Sequence, residues 1–568
     1  MKTKRKYLPE DLKVESWHSI EPYFKALQNW KFNSAIDLKN WLGYRSELDA
    51  VLNEEMGWRY IKMNCNTGDE TLSQHFEYFV TEIEPKVSEF DFELNKILND
   101  CPFTSELKGK EYEILFRSIK NKIDLFRTEN IPIQAEIQKE EQEYGRIAAA
   151  MTIEYQGKEI TLQKASNLLK DTDRLVRKEA YQKIWERRLQ DSVSLDELLS
   201  RLTVKRQQMA KNAGFANFRD FMFKKLGRFD YQIEDCYTFH DSILSEVVPL
   251  SNEIQKIRKK KLGIDVLRPW DLDVDIDSKP QLKPFNTADE LVQKTIRCFN
   301  KVKPDFANFI EIMSKESYLD LDSRKGKAPG GFNYPLHESN IPFIFMNATG
   351  NLRDVETMVH EGGHAIHSFL SKDLELVSFK DTPSEIAELA SMSMELISME
   401  HWDVFFENKD ELKRAKLDLL LGTIQILPWV AMVDKFQHLF YLETNLTPEK
   451  GRELWRQVAL DFSGSVVDWQ GLDNIFNHLW QKQLHIFEVP FYYIEYGFAQ
   501  LGAIAIWRNY KLNPIKALND YENALKLGYT RSIPEVYQSA GIQFNFSKSY
   551  INELMRFVQS EIDIINHG

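Results

Sequence analysis

The stretch Val359 to His367 reads VHEGGHAIH and contains the pattern H-E-x-x-H as His360, Glu361 and His364. Two histidines four apart on a helix project from one face about 6 Å apart. Both imidazoles can then reach one Zn2+ at about 2.1 Å, and the adjacent glutamate can take a proton from a water at the metal. That is the chemistry of hydrolysis by an activated water. A catalytic zinc takes a third protein ligand and keeps one position open. The longer pattern H-E-x-x-H-x-x-G-x-x-H is excluded, because positions 367 and 370 hold His367 and Leu370. A carboxylate is the remaining choice. His367 shares roughly the face of His360, but a fourth protein ligand would close the water position, so it is expected to pack or to support a ligand.

Two helices must position these groups. The first starts well: Gly350 ends a turn, Asn351 can cap, and Asp354 can answer it in a capping box. Gly362 and Gly363 inside it give up about 1.5–2 kcal/mol of helix propensity relative to alanine. Such a pair makes sense if another backbone or a substrate comes close there. The second helix starts at Pro383 and reads PSEIAELASMSMELISMEHW. Its Glu388 and Glu395 fall within about 20° of each other around the axis, on an otherwise apolar stripe. Two buried acids are costly unless a cation faces them, and a metal with its histidines would do so. One glutamate would be the ligand and the other would accept an imidazole N–H. Glu385 lies about 60° away and reads as an acid favoured by the helix start.

Upstream, the Gly-rich KGKAPGGFNY leads into an extended IPFIFMN. Phe343 to Asn347 predicts a strand whose edge takes a substrate backbone, with Gly330, Gly331 and Tyr334 lining the cleft; the plainer alternative is a hairpin that only covers the site. Downstream, LHIFEVPFYYIEYGFAQ gathers His485, Tyr492, Tyr493 and Tyr496. Hydrolysis of an amide builds negative charge on the former carbonyl oxygen, which neutral donors such as tyrosine and histidine can stabilise. Aromatic packing is the competing use of this segment.

HEGGHAIH, followed by the glutamate of AELASMSMEL 24 residues after His364, resembles the M3 family of zinc metallopeptidases, the oligoendopeptidase F and thimet oligopeptidase group. The resemblance implies that His360, His364 and Glu388 hold one zinc ion, that Glu361 is the general base, and that Glu395 supports a ligand imidazole. It favours His485, Tyr493 and Tyr496 over Tyr492 as the groups closing on the scissile bond, leaving Tyr492 as a substrate contact. KAPGGFNY and PFIFMN are similar to the family's substrate-side loop and strand, and AGFANFRDF also has its character. The implied fold is mainly α, a large helical ellipsoid of two halves around a deep central channel, with a small β-sheet beside the zinc site. Such a channel would admit short unstructured oligopeptides and exclude folded proteins. A dipeptidyl carboxypeptidase or metallocarboxypeptidase of the same fold is the alternative, and a peptide-binding scaffold without catalysis is a more distant one.

The rest of the chain agrees with a helical body. Gly and Pro are scarce, 24 and 19 in 568 residues, while 43% of residues are hydrophobic and 12% aromatic, so disordered and collagen-like classes are excluded. The net charge of −13 is diffuse, which gives no general attraction for nucleic acid. Cys65, Cys101, Cys236 and Cys298 form no C-x-x-C pair and are given neither a disulfide nor a metal role. The basic start MKTKRKY is not followed by an apolar stretch, and no run of 18 uninterrupted apolar residues occurs, so no transmembrane helix is expected and the cytoplasm is the expected location. Helical periodicity is broken by MTIEYQGKEITL, which predicts a hairpin about Gln156-Gly157, and by the Asp/Pro-rich stretch 266–290, a surface excursion or a seam. Residues 1–150 are expected to form a helical wall and residues 151–568 the catalytic region.

Overall fold

The chain runs mostly in helices, several of them 20 residues or longer. The computed structural model describes residues 4–444 and 446–567, and these are mostly helical with two small sheets. In chain order, the elements that matter for the chemistry are α1 (Trp17–Gln28), α2 (Ala35–Cys65), β1 (Thr152–Tyr155), β2 (Lys158–Thr161), α3 (Ile233–Ser242), α4 (Ala288–Val302), α5 (Pro304–Lys315), β3 (Leu319–Asp322), β4 (Phe332–Tyr334), β5 (Phe343–Ala348), α6 (Leu352–Ser371), α7 (Ser384–Met399), α8 (Lys409–Leu442) and α9 (Ile494–Leu512).

The chain divides into two compact units, each assembled from three separate stretches. The first comprises residues 1–126, 283–416 and 499–544; the second comprises 127–282, 417–498 and 545–568. The boundary after Leu282 falls inside the Asp/Pro-rich stretch that reads as irregular in the sequence.

In the first unit, Trp17, Ile20 and Phe24 of α1 and Leu38, Trp41 and Leu48 of α2 share a core that also takes in Leu376 and Phe379. Ser34 caps α2 by accepting the Asp37 N–H at 3.2 Å. Further along α2, Gly57 lets the Tyr334 ring lie directly on the helix; a Cβ there would stand 2.5 Å from that ring. The three-stranded sheet has the order β3-β5-β4, with β3 parallel and β4 antiparallel to β5. Buried Lys327 ties its loop down by donating to Asp320 Oδ1 and to the backbone carbonyls of Asp320, Asp322 and Met346.

In the second unit, Gln156 (φ 51°) and Gly157 (φ 72°) turn the chain from β1 to β2, as the hairpin reading expects. Asp271, fully buried in the stretch 266–282, accepts from both Arg174 and Arg177. α8 is long and apolar enough to cross a membrane by composition alone, and 61% of its most apolar window is buried inside the protein. All four cysteines are free thiols.

Candidate metal centre

α6 and α7 pack side by side in the first unit and present the donors predicted from the sequence. Asn351 caps α6, accepting the Asp354 N–H at 3.2 Å, while the Asp354 carboxylate accepts the Asn351 N–H at 3.0 Å. The resulting helix projects His360 and His364 toward α7. Glu388 Oε2 lies 3.4 Å from His360 Nε2 and 3.6 Å from His364 Nε2. Donors around one tetrahedral ion with bonds of about 2.0–2.1 Å stand about 3.4 Å apart, so two imidazole nitrogens and a carboxylate oxygen at these spacings fit a zinc-class ion.

The supporting contacts orient each donor. His360 Nδ1–H donates to Glu395 Oε1 at 2.6 Å, which leaves Nε2 facing Glu388. Ser391 Oγ–H donates to Glu388 Oε2 at 3.0 Å. Buried Tyr521 and Tyr537 brace α7 from behind, donating to the carbonyls of Ala390 at 2.8 Å and Glu385 at 3.0 Å. These tyrosines escape a reading of the sequence, because nothing local marks residues 131 and 152 positions away as helix braces; Ser391 sits one turn from Glu388, where helical spacing could have found it.

The electrostatics follow from burial among opposed charges. Burial disfavours a charged His360, yet the Glu395 hydrogen bond and the nearby carboxylates outweigh it and lift the imidazole to about 9. Burial raises the Glu361 carboxyl to about 7, with His360 opposing and Glu388 and Glu395 reinforcing. His364 is held well below the ordinary histidine range, first by burial and then by the charge of His360. His367 is buried and lowered to about 4 by burial, and it lies outside the trio of donors.

The two glycines of α6 have different neighbours. A Cβ at Gly363 would lie 2.6 Å from Ser391 Cα and 2.8 Å from Ala390 O, so backbone meets backbone at the α6–α7 contact. A Cβ at Gly362 would lie 2.8 Å from the Phe299 ring of α4. The glycine pair therefore serves close helix packing on both sides.

The residues expected on the substrate side are placed differently from the expectation in one respect. β5, which carries Phe343 and Asn347, is the central strand, hydrogen-bonded to β3 on one side and β4 on the other. It has no free edge to offer, Phe343 is buried, and Asn347 donates to the carbonyls of Ala328 and Gly330 at 2.8 and 3.0 Å. The reason is topological: β3, from upstream, takes the side that the local pattern leaves open. β4 is an edge strand, and its Asn333 donates to the Glu361 backbone carbonyl at 3.3 Å. Gly330 (φ 103°) and Gly331 precede β4, whereas Tyr334 packs on Tyr60 with ring centroids 6.0 Å apart and over Gly57.

In the second unit, His485 forms a ring cluster with Tyr493, Tyr496 and Tyr492 at centroid distances of 4.8, 5.8 and 6.0 Å. Gln483 pairs with His485 Nδ1 at 2.7 Å, and burial lowers this imidazole to about 4, so it is neutral near pH 7. The turn into the cluster is strained: Phe491 has φ 68° and is buried. It is held because its N–H donates to Gln437 Oε1 at 2.8 Å and its carbonyl accepts from Arg228.

The model of "Peptidase family M3" matches residues 167–556, and that of the "Peptidase M3 N-terminal domain" matches residues 11–126. The chain is similar to "Group B oligopeptidase PepB" of Streptococcus agalactiae, 25% identical over 70% of this chain and 64% of that protein. It is similar to "Oligopeptidase PepF" of Bacillus subtilis, 22% identical over 72% of this chain and 59% of that protein. The match thus spans about three fifths of the length of these relatives. Among solved structures, "PZ peptidase A with inhibitor 2" superposes with a TM-score of 0.91 at 24% identity, covering 98% of this chain and 99% of that one.

Proposed function

The chain belongs to peptidase family M3, and on that premise we propose that it is a zinc-dependent endopeptidase that hydrolyses short unstructured oligopeptides. The observation that carries this reading is Glu388 Oε2 at 3.4 and 3.6 Å from two imidazole nitrogens, with Glu361 beside the first of them in the chain. His360, His364 and Glu388 would hold the ion. A bound Zn2+ would supply a Lewis acid for the scissile carbonyl and lower the pKa of a water to about 7.

Glu361 is the general base. Its buried carboxyl, next to His360 in the chain, can take a proton from an attacking water and return it to the leaving amine. Glu395 keeps the His360 proton on Nδ1. The edge of β4, next to the Gly330–Gly331 turn, is where an extended peptide would add as a strand; main-chain pairing of this kind gives affinity with little side-chain selectivity. His485, Tyr493 and Tyr496 are read as neutral donors to peptide oxygen, on the strength of the neutral imidazole and the ring cluster in their own unit. The oligopeptidase names of the relatives support the substrate class.

The test is Glu361→Gln, which preserves shape and all three donors. Zinc content should equal that of the parent while cleavage of an internally quenched peptide falls by about 10²–10⁴-fold. Undiminished cleavage would sink the mechanism. Cleavage of a peptide blocked at both ends distinguishes endopeptidase action from the carboxypeptidase alternatives.

A further inference from the structure

The second unit contains another set of metal-type side chains, far in sequence from the first. Cys236 and His240 stand four apart on α3, and Asp434 and His438 stand four apart on α8. All four are at most 1% exposed. The donor atoms of Cys236, Asp434 and His438 lie within 4.8 Å of one another. His240 Nε2–H donates to Asp434 Oδ2 at 2.8 Å.

Hydrogen bonding alone leaves this cluster poorly satisfied. Asp434 Oδ1, His240 Nδ1 and His438 Nδ1 have no hydrogen-bond partner. His438 Nε2 lies 3.1 Å from Asp434 Oδ2, on the oxygen that also takes the His240 proton. Buried polar atoms are nearly always paired, so three orphans in one cluster call for a partner of another kind. An imidazolium–carboxylate pair does not supply it, because the Nδ1 atoms stay unpaired.

We propose that Cys236, Asp434 and His438 bind a second divalent ion of the zinc class, with His240 holding the carboxylate from outside. The charges close: one thiolate and one carboxylate neutralise a 2+ ion, and neutral imidazole completes a soft-to-borderline donor set suited to Zn2+ over Mg2+ or Ca2+. Binding expels the Cys236 thiol proton to solvent, since the thiolate is the ligand. Three protein donors leave the fourth position to a water. His240 on Asp434 repeats the relation of Glu395 to His360, an outer group fixing the orientation of a ligand.

The role of this site is structural. It cross-links α3 to α8 next to Phe491, whose ring centroid is 5.3 Å from that of His438 and whose N–H is held by Gln437 on α8. The ion would thereby stiffen the strained turn that leads to Tyr492 and Tyr493. The Tyr237 ring, 5.2 Å from that of His438, belongs to a residue 38% exposed, so the cluster is one side chain away from solvent.

Cobalt substitution tests this independently of peptidase activity, because the donors at His360, His364 and Glu388 include no sulfur. The full chain, stripped by chelator and titrated with Co2+, should bind about two ions and develop a near-ultraviolet thiolate-to-cobalt absorption that saturates at one equivalent. Cys236→Ser and, separately, His438→Gln should abolish the absorption and leave about one ion, whereas His360→Ala should lose the other ion and keep the absorption. Binding of a single ion without the absorption in the unaltered chain, or its survival in Cys236→Ser, overturns the proposal. Should either variant misfold by circular dichroism, the spectrum of the unaltered chain decides.

Discussion

Gly363→Ala separates two expectations of opposite sign. In an open mid-helix position the change stabilises by about 1 kcal/mol through helix propensity. At Gly363 the new Cβ would stand 2.6 Å from Ser391 Cα and 2.8 Å from Ala390 O. Both are backbone atoms of α7, so no side chain can swing aside, and the helices must separate by about 0.8 Å to reach ordinary contact at 3.4 Å. Overpacking of this kind costs about 1–3 kcal/mol and more than cancels the propensity gain. The consequence for the metal is larger. The same contact sets Glu388 Oε2 at 3.4 and 3.6 Å from His360 and His364, and the displacement exceeds the tolerance of about 0.2 Å on ligand distances several-fold. We expect zinc affinity, measured by competition with a chromophoric chelator, to fall at least about tenfold, as when an orienting partner is lost. The melting temperature should drop as well. Gly43→Ala in α2, where a Cβ meets nothing within 4 Å, is the control and should hold or gain stability. A Gly363→Ala protein that melts higher than the parent and binds zinc equally well would refute the reasoning.

Glu395→Ala should weaken zinc binding by about 10–100-fold by releasing His360 Nδ1, and Glu395→Gln by less because its amide oxygen still accepts that proton; equal affinities in the chelator assay would contradict this. Asp271→Asn should cost about 3–5 kcal/mol in denaturant unfolding near pH 7, since buried Arg177 loses its counter-ion. Burial pushes the Asp271 carboxyl up, but hydrogen bonds from Arg174, the Arg268 backbone and Arg177 hold it below the ordinary range. Its contribution is therefore complete above the unfolded value of about 3.9 and is lost as pH falls through the folded value, so the gap between parent and variant should narrow below about pH 4. A gap unchanged at pH 3 would count against the ion pair. Tyr493→Phe and Tyr496→Phe should each lower kcat by up to about 10²–10³-fold at unchanged zinc content if their hydroxyls stabilise the oxyanion, while aromatic packing alone predicts no change.

Much of the candidate metal centre is written in local periodicity. A spacing of four puts His360 and His364 on one face, a spacing of seven puts Glu388 and Glu395 on another, and Asn351 with Asp354 marks where α6 begins. Each of these is a relation within one helix, so the geometry of the helix alone carries it. The hairpin at Gln156-Gly157 is legible for the same reason, since Gly157 suits the second of its two positive φ values and the flanking residues alternate.

Tertiary structure decided the relations between segments. Glu388, and not Glu395, comes within reach of both imidazoles because α6 and α7 meet at Gly363 and Ser391. β5 lost the edge that its own pattern suggested because β3 pairs with it from across the chain. Cys236 and His240 meet Asp434 and His438 across nearly 200 residues, a pairing that no reading of either helix contains. Sequence alone determined which faces carry donors, since side-chain direction follows from backbone period; which faces meet depends on helix and strand packing over the whole chain, and that is where strand edges and donor clusters are chosen.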